Sequence, residues 1–308
     1  MRVLRGFEGW PRGPLHVAIG VFDGVHRGHQ EVIRRLRVFA HAQGGLALAA
    51  TFDPLPIQVL APGAPPSALT DATERSELLT AAGADAVVLF RSDPAFFALS
   101  AKEFVDRLRA AGEVRRIVVG SDFRFGRDRE GDVAVLASLA GEAAVDVEVV
   151  QPVTHDGDVI SSTRIRNLLV AGEVRGAADL LGRPYAVRGR IVHGDKRGRA
   201  LGYPTINVAT PPERLLPRDG IYATWADVGS HRRPAATSLG VRPTFGGGER
   251  VLESFILDLT ADLYGEAVEM AFVERLRDEL RFGSAEALVD QIAKDVEATR
   301  RALGYTSP

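Results

Sequence analysis

The chain has 308 residues, of which 45% are apolar and 25% charged, and a net charge of −2. That length favours two domains or one large one, with enough apolar surface for sizeable cores. The near-neutral balance offers no strong field for nucleic acid or an anionic membrane, although a local phosphate site stays open. With no cysteine, disulfides, thiolate metal sites and thiol nucleophiles are excluded, in keeping with a reducing compartment. The N-terminus, M-R-V-L-R-G-F-E-G-W-P, lacks a secretory apolar core, and no apolar run is long enough to span a bilayer, so a soluble cytoplasmic chain is expected.

The first half alternates strands and helices. His16 to Phe22 reads as a buried strand ending in a Gly/Asp turn. Gln30 to Ala42 follows as a helix, with Val32, Ile33, Leu36, Phe39 and Ala40 on one stripe, and Gly44-Gly45 ends it. Leu46 to Phe52 is the next strand, and the prolines at 54, 56, 62, 65 and 66 then impose a loop. Asp71 with Glu74, and Ser100 with Glu103, have the spacing of capping boxes opening helices, the second running to Ala111. Ala84 to Phe90, Ile117 to Gly120 and Val145 to Val150 complete the strands. Strands separated by helices predict a doubly wound parallel sheet.

Near Leu181-Gly182-Arg183-Pro184 the pattern changes, so domains of 1–182 and 183–308 are expected. Short β-branched runs follow at 185–193, 206–209, 220–228, 235–239, 251–259 and 267–273, broken by Gly and Pro. They predict a small antiparallel barrel. A helix capped by Ser284, with Leu288, Ile292, Val296 and Leu303 on its stripe, closes the chain.

The first candidate site is I-G-V-F-D-G-V-H-R-G-H-Q at residues 19–30. A helix start carries unpaired N–H groups and a positive dipole end that attract phosphate. Gly24 and Gly28 allow close backbone approach. His26 and His29, separated by one tight turn, can both face a triphosphate. Adenylyl transfer from ATP needs such donors fixed in advance, because charge develops as pyrophosphate leaves. The plain alternative is two surface histidines on a turn. I-S-S-T-R-I-R at residues 160–166 opens a second helix, predicted over 165–170. It reads either as a phosphate clamp or as an ordinary Ser/Thr cap with solvated arginines.

The second candidate site begins at G-R-I-V-H-G-D-K-R-G-R-A-L-G-Y-P-T-I-N, residues 189–207. The Gly-rich basic stretch over 194–202 can fold over a nucleotide phosphate, but it lacks the G-K-[ST] ending of a Walker loop. Thr205 and Asn207 alternate along a strand, so both point to one face as hard oxygen ligands suited to Mg²⁺. Glu253 is an isolated acid among apolar neighbours, placed to take a proton from an attacking alcohol if it faces that site. The plain alternatives are a basic hairpin loop and an exposed strand glutamate.

Taken together, these motifs resemble the prokaryotic bifunctional riboflavin kinase/FAD synthetase family, whose adenylyltransferase half is an H-x-G-H nucleotidyltransferase. Leu99 to Val105 and V-G-S-D-F-R-F-G at 119–126 match that half, and L-G-Y-P-T-I-N, G-V-R-P-T-F-G, D-L-Y-G and L-R-D-E-L-R-F match the kinase half. The resemblance implies ATP contacts in the first half by Phe22, Asp23, Gly24, His26, His29, Ser162, Thr163 and Arg166, with Asp122 and Phe123 near flavin or adenine. In the kinase half it implies ATP contacts by Gly194, Lys196, Gly198, Gly202, Pro204, Thr205 and Asn207. Thr205 and Asn207 would also bind Mg²⁺, Glu253 would be the base, and Arg277 and Glu279 would meet the flavin. The expected enzyme phosphorylates riboflavin to FMN with ATP, then adenylylates FMN to FAD with release of pyrophosphate. Its partners are small molecules, not nucleic acid or membrane. Three positions depart from the family pattern. Leu55 stands where histidine is usual, Ile206 replaces alanine and Phe255 replaces histidine. Leu55 motivates one alternative, a riboflavin kinase with a weakened adenylyltransferase half. A non-catalytic flavin-binding protein and an H-x-G-H transferase for a pantetheine or nicotinate nucleotide are the others.

Overall fold

The computed structural model describes residues 1–61, 63–64, 67–142, 144–194, 202–242, 249–259 and 261–306. Its contacts divide the chain into two compact units, Met1–Ser162 and Thr163–Pro308.

The first unit is built on strands β1 (Val3–Arg5), β2 (Pro14–Ile19), β3 (Leu46–Phe52), β4 (Ala86–Phe90), β5 (Glu113–Gly120) and β6 (Asp146–Val150). Between them run helices α1 (Arg27–Ala42), α2 (Pro56–Leu60), α3 (Ala72–Ala81), α4 (Pro94–Phe97), α5 (Ala101–Ala111) and α6 (Val133–Gly141). All neighbouring strand pairs are parallel, in the order β1-β4-β3-β2-β5-β6. The strand side-chain period of two sorts the core into two clusters. Val17, Ile19, Leu48, Ala50, Val88, Phe90, Ile117 and Val119 face one side with Phe104 and Leu108 of α5 and Leu136 of α6. Ala18, Ala47, Ala49, Val87, Leu89 and Val118 face the other with Ile33 and Leu36 of α1 and Leu79 of α3. This is the doubly covered parallel sheet that the alternation predicts. A small hairpin, β7 (Thr154–His155) with β8 (Asp158–Val159), precedes the end of the unit.

The predicted caps form. Asp71 accepts from the Glu74 N–H, and Ser100 and Glu103 make a reciprocal capping box. Some boundaries differ. The first strand stops at Ile19 rather than Phe22, because Phe22, Gly24 and Val25 take left-handed backbone conformations. The helix after it starts at Arg27, three residues before Gln30, since His26 caps it.

In the second unit α7 (Ser162–Ala171), which begins in the first unit, and α8 (Val174–Leu181) precede the barrel. The expected division after Gly182 coincides with the left-handed C-cap of α8, whereas contacts place Thr163 and everything beyond it with the barrel. The barrel strands are β9 (Tyr185–Val192), β10 (Ile206–Ala209), β11 (Gly220–Val228), β12 (His231–Arg242), β13 (Glu249–Ile256) and β14 (Ala267–Arg277). They close antiparallel in the order β10-β13-β12-β11-β14-β9. Closure leaves no unpaired sheet edge. Helix α9 (Ala285–Leu303) is capped by Ser284 and packs on β11, β12 and β14. Predicted strand 251–259 starts two residues earlier and ends three earlier, at Glu249–Ile256, and the helix predicted over 165–170 begins at Ser162.

Candidate active sites

In the first unit the strand order changes direction between β2 and β5, which are neighbours. Open α/β sheets bind ligands outside the carboxyl ends of strands at such a switch point. Two sequence motifs issue there: F-D-G-V-H-R-G-H after β2 and S-D-F-R-F-G after β5. At the second, Asp122 is exposed, and Phe123 is half-buried and stacks on Phe125 with ring centroids 5.4 Å apart.

His26 is the N-cap of α1; its Nδ1 accepts from the His29 N–H at 3.3 Å. The two imidazoles stack, centroids 3.5 Å apart and planes at 19°. Phe22 meets His29 edge-on at 5.2 Å. Any side chain at Gly28 would crowd the His26 ring, at 3.1 Å from a Cβ. Burial pushes the His29 imidazole well below its ordinary range, and His26 and Arg75 push it further the same way. His29 Nδ1 is buried with no hydrogen-bond partner. A neutral imidazole with an unused polar atom, at the positive end of a helix, suits a phosphate oxygen.

Asp23, expected to contact nucleotide, also has a structural part. Its carboxylate is buried and accepts from the Leu69 N–H, the Thr70 N–H and the Thr70 hydroxyl, all within 3.1 Å. Thr70 Oγ1 in turn accepts from the Gly24 N–H at 3.1 Å, and the Ser162 hydroxyl donates to the Asp23 carbonyl at 2.8 Å. Asp23 therefore ties the turn to the 69–70 loop and to the start of α7. Thr163 and Arg166 follow on the first turns of α7, within the second unit. Leu55, where the family usually carries histidine, is buried at 3% exposure and donates its N–H to Gln58 Oε1 at 2.7 Å.

In the barrel, side chains of even number on β13 face inward: Leu252, Ser254 and Ile256 are buried. Their neighbours Glu253 and Phe255 are half-buried on the outer face. Register pairs Asn207 with Glu253 across β10 and β13, so both stand on that outer face. Ile206 pairs with inward Ser254, so the residue that replaces the family's alanine falls on the interior face. Thr205 donates its hydroxyl to Glu253 Oε1 at 2.5 Å. Phe255, which replaces the family's histidine, packs edge-on against Tyr203 at 5.2 Å. The Gly194 backbone lies against the Asn207 amide so closely that a Cβ would sit 2.0 Å from Nδ2, so any side chain there would displace Asn207. Gly202 takes a left-handed φ of +84°, and Pro204 is exposed. Lys196 and Gly198 lie outside the described residues, as do 243–246 of the G-V-R-P-T-F-G motif.

Arg277, expected near the flavin, is engaged within the chain. Its guanidinium makes a two-pronged pair with Asp295 of α9, at 2.8 and 2.5 Å, and donates to the Asp278 carbonyl at 2.8 Å. It anchors the end of β14 to the terminal helix. Glu279 reaches the backbone of Gly240, where a Cβ would lie 2.0 Å from its Oε1. Desolvation, then Asp219, raise the Glu279 carboxyl, against the lowering pull of Arg277.

Sequence reading missed the residues that hold these sites. Thr70 sits one residue before a helix cap and carries no motif. Arg75 reads as a solvated helix position, yet it is 1% exposed. Asp295 reads as one charge on an amphipathic helix.

Known proteins align with both units. The family model for FAD synthetase matches residues 11–164, and that for riboflavin kinase matches residues 181–303. The bifunctional riboflavin kinase/FMN adenylyltransferase of Escherichia coli strain K12 is 36% identical, covering 100% of both chains. That of Pseudomonas fluorescens is 40% identical over 97% of each. A crystal structure from Streptococcus pneumoniae, described as a macrolide-efflux protein, is 33% identical and superposes with a TM-score of 0.89, covering 97% of this chain and 99% of that one. The fold is what it shares with this chain; among the described residues no helix is long and apolar enough to cross a membrane. With both modules matched in order and relatives aligned end to end, the chain belongs to the bifunctional riboflavin kinase/FMN adenylyltransferase family.

Proposed function

We propose that the two activities of this family, riboflavin kinase and FMN adenylyltransferase, divide between the two sites described above. The barrel face around Glu253 would make FMN, and the His26–His29 turn would make FAD. The observation that carries the reading is the Thr205–Asn207–Glu253 group on one barrel face, together with a stacked histidine pair at the switch point of the sheet.

In the barrel, Glu253 accepts the proton of the riboflavin 5′-hydroxyl as its oxygen attacks the γ-phosphorus of ATP, and ADP leaves. The Thr205 hydroxyl holds the carboxylate in place. The donors fit magnesium. The Thr205 hydroxyl and Asn207 amide oxygen are hard oxygen ligands, and an ion bound there would neutralise charge on the β- and γ-phosphates. In the α/β unit no base is needed. An FMN phosphate oxygen, already anionic, attacks the α-phosphorus of a second ATP and pyrophosphate leaves. His26, His29 and the α1 amides hold the phosphates in line and stabilise the developing charge. Ser162 is proposed to help hold the same nucleotide, with Asp122 and Phe123 at the end of β5 near the flavin.

Nothing favours a kinase with a weakened adenylyltransferase half. The decisive experiment is a product profile by HPLC from riboflavin, ATP and Mg²⁺. The wild-type chain is expected to yield FAD. Glu253→Ala should abolish FMN formation while still converting added FMN to FAD, and His29→Ala should do the reverse. If either substitution removed both activities in folded protein, the division of labour would be wrong.

A further inference from the structure

Arg75 is the largest fully buried side chain of the described residues, 1% exposed, and it belongs to no motif. Its guanidinium donates to two backbone carbonyls from different segments: Phe52 at the end of β3, at 2.5 Å, and Thr70, at 3.4 Å. Its Nε has no partner. Thr70 is the residue that holds the Asp23 carboxylate and the Gly24 N–H. A continuous buried network thus runs from Arg75 through Thr70 to the turn that carries His26 and His29.

We propose that Arg75 is a positioning residue for adenylyl transfer, clamping the end of β3 to the Thr70 loop and thereby fixing the Asp23–His29 turn from behind. The proposal rests on that turn being the adenylyl-transfer site. A buried charge is costly, and nothing about helix α3 alone requires one there. Desolvation lowers the guanidinium from its ordinary value, and four surrounding acids, Asp23, Asp53, Asp71 and Glu74, offset part of that cost. Two carbonyls from separate segments need a planar fork; a lysine can serve one of them, and an apolar residue neither.

The same placement has an electrostatic consequence. The charged and titratable groups acting on this corner are His26, stacked on His29, then Arg75 and its four acids. Loss of the Arg75 charge removes one of the influences that keep His29 neutral, and leaves the acids uncompensated. Both changes favour the imidazolium.

The test compares Arg75→Met, Arg75→Lys and His29→Ala in the full chain. It measures FMN-to-FAD and riboflavin-to-FMN kinetics and follows the histidine imidazoles by NMR pH titration. For Arg75→Met we expect kcat for FAD formation to fall by about 10- to 100-fold, with KM for FMN changed less than about threefold, kinase activity retained and His29 titrating at higher pH. Arg75→Lys should keep the wild-type His29 titration but lose at least about threefold in that kcat, having one donor head where the fork served two. If Arg75→Met does not fold, the lysine variant alone decides. Wild-type kcat in Arg75→Lys, or wild-type kcat and His29 titration in folded Arg75→Met, overturns the role of Arg75. FAD formation at the wild-type rate by His29→Ala would instead overturn the assignment of the turn itself.

Discussion

Asn207 and Glu253 stand directly opposite each other on antiparallel strands β10 and β13. The pairing register makes the proposed kinase site. A one-residue slip of β13 would carry Glu253 into the barrel and Ser254 out. Asn207→Ala should therefore lower riboflavin phosphorylation by at least about tenfold and raise the Mg²⁺ concentration needed for half-maximal rate. A titration of rate against Mg²⁺ checks this, and an unchanged midpoint would remove Asn207 from the metal site.

The Arg277–Asp295 pair joins β14 to α9 with side chains 20% and 9% exposed. Gln291 also donates to Asp295, at 3.0 Å. Asp295→Ala leaves a largely buried guanidinium without its carboxylate, and should destabilise the barrel by about 3 kcal/mol. Loss of kinase activity against temperature is the measurement. Because Glu279 is two residues from Arg277, KM for riboflavin should rise with it.

Inside the barrel the hydroxyls of Thr224, Thr237 and Ser254 form a buried chain with links of 2.6 and 2.8 Å. Thr224 still has the Ala235 carbonyl if Thr237 is lost, but Ser254 depends on the chain. Thr237→Val keeps the shape and removes the middle link. The expected cost in urea unfolding is about 1–3 kcal/mol, with catalysis at the outer face unchanged.

His16 on β2 is 2% exposed, and neither ring nitrogen has a hydrogen-bond partner. Burial, then the nearby Arg116, lower its imidazole from the ordinary value, while Asp146 acts the other way. A histidine lowered in the folded state gives its full stability above the unfolded value, near 6.5. That stability is lost as pH falls, because the unfolded chain takes up the proton first. His16→Phe should flatten the fall in stability of the α/β unit between neutral and mildly acid pH. Denaturation midpoints at both pH values read this directly.

Leu55→His restores the family's usual residue at a position that is buried in this chain. Without a partner for the ring it should cost about 1–3 kcal/mol and not speed FAD formation. A faster rate at unchanged stability would make Leu55 a genuine catalytic loss.

Much of the architecture was legible in the residues because it is local. Continuous apolar runs in 46–52 and 86–90, the caps at Asp71, Ser100 and Ser284, and the run 206–209 depend on neighbours in sequence, and the structure forms them there. The F-D-G-V-H-R-G-H turn was legible for the same reason, since glycine spacing and a helix stripe mark it. The part taken by Asp23 was not. Its partners Leu69 and Thr70 lie 46 and 47 residues away, and an aspartate in a phosphate-binding turn reads as a ligand.

The sequence by itself determined the two modules and the family's two activities, because periodicity, capping and motif spacing act over a few residues. Only the tertiary structure decided which residues touch one another. It set Glu253 opposite Asn207, turned Arg277 to Asp295 and buried Arg75 behind the histidine turn. Strand register, burial and paired charges bring together residues dozens of positions apart, and no local pattern in the chain encodes them.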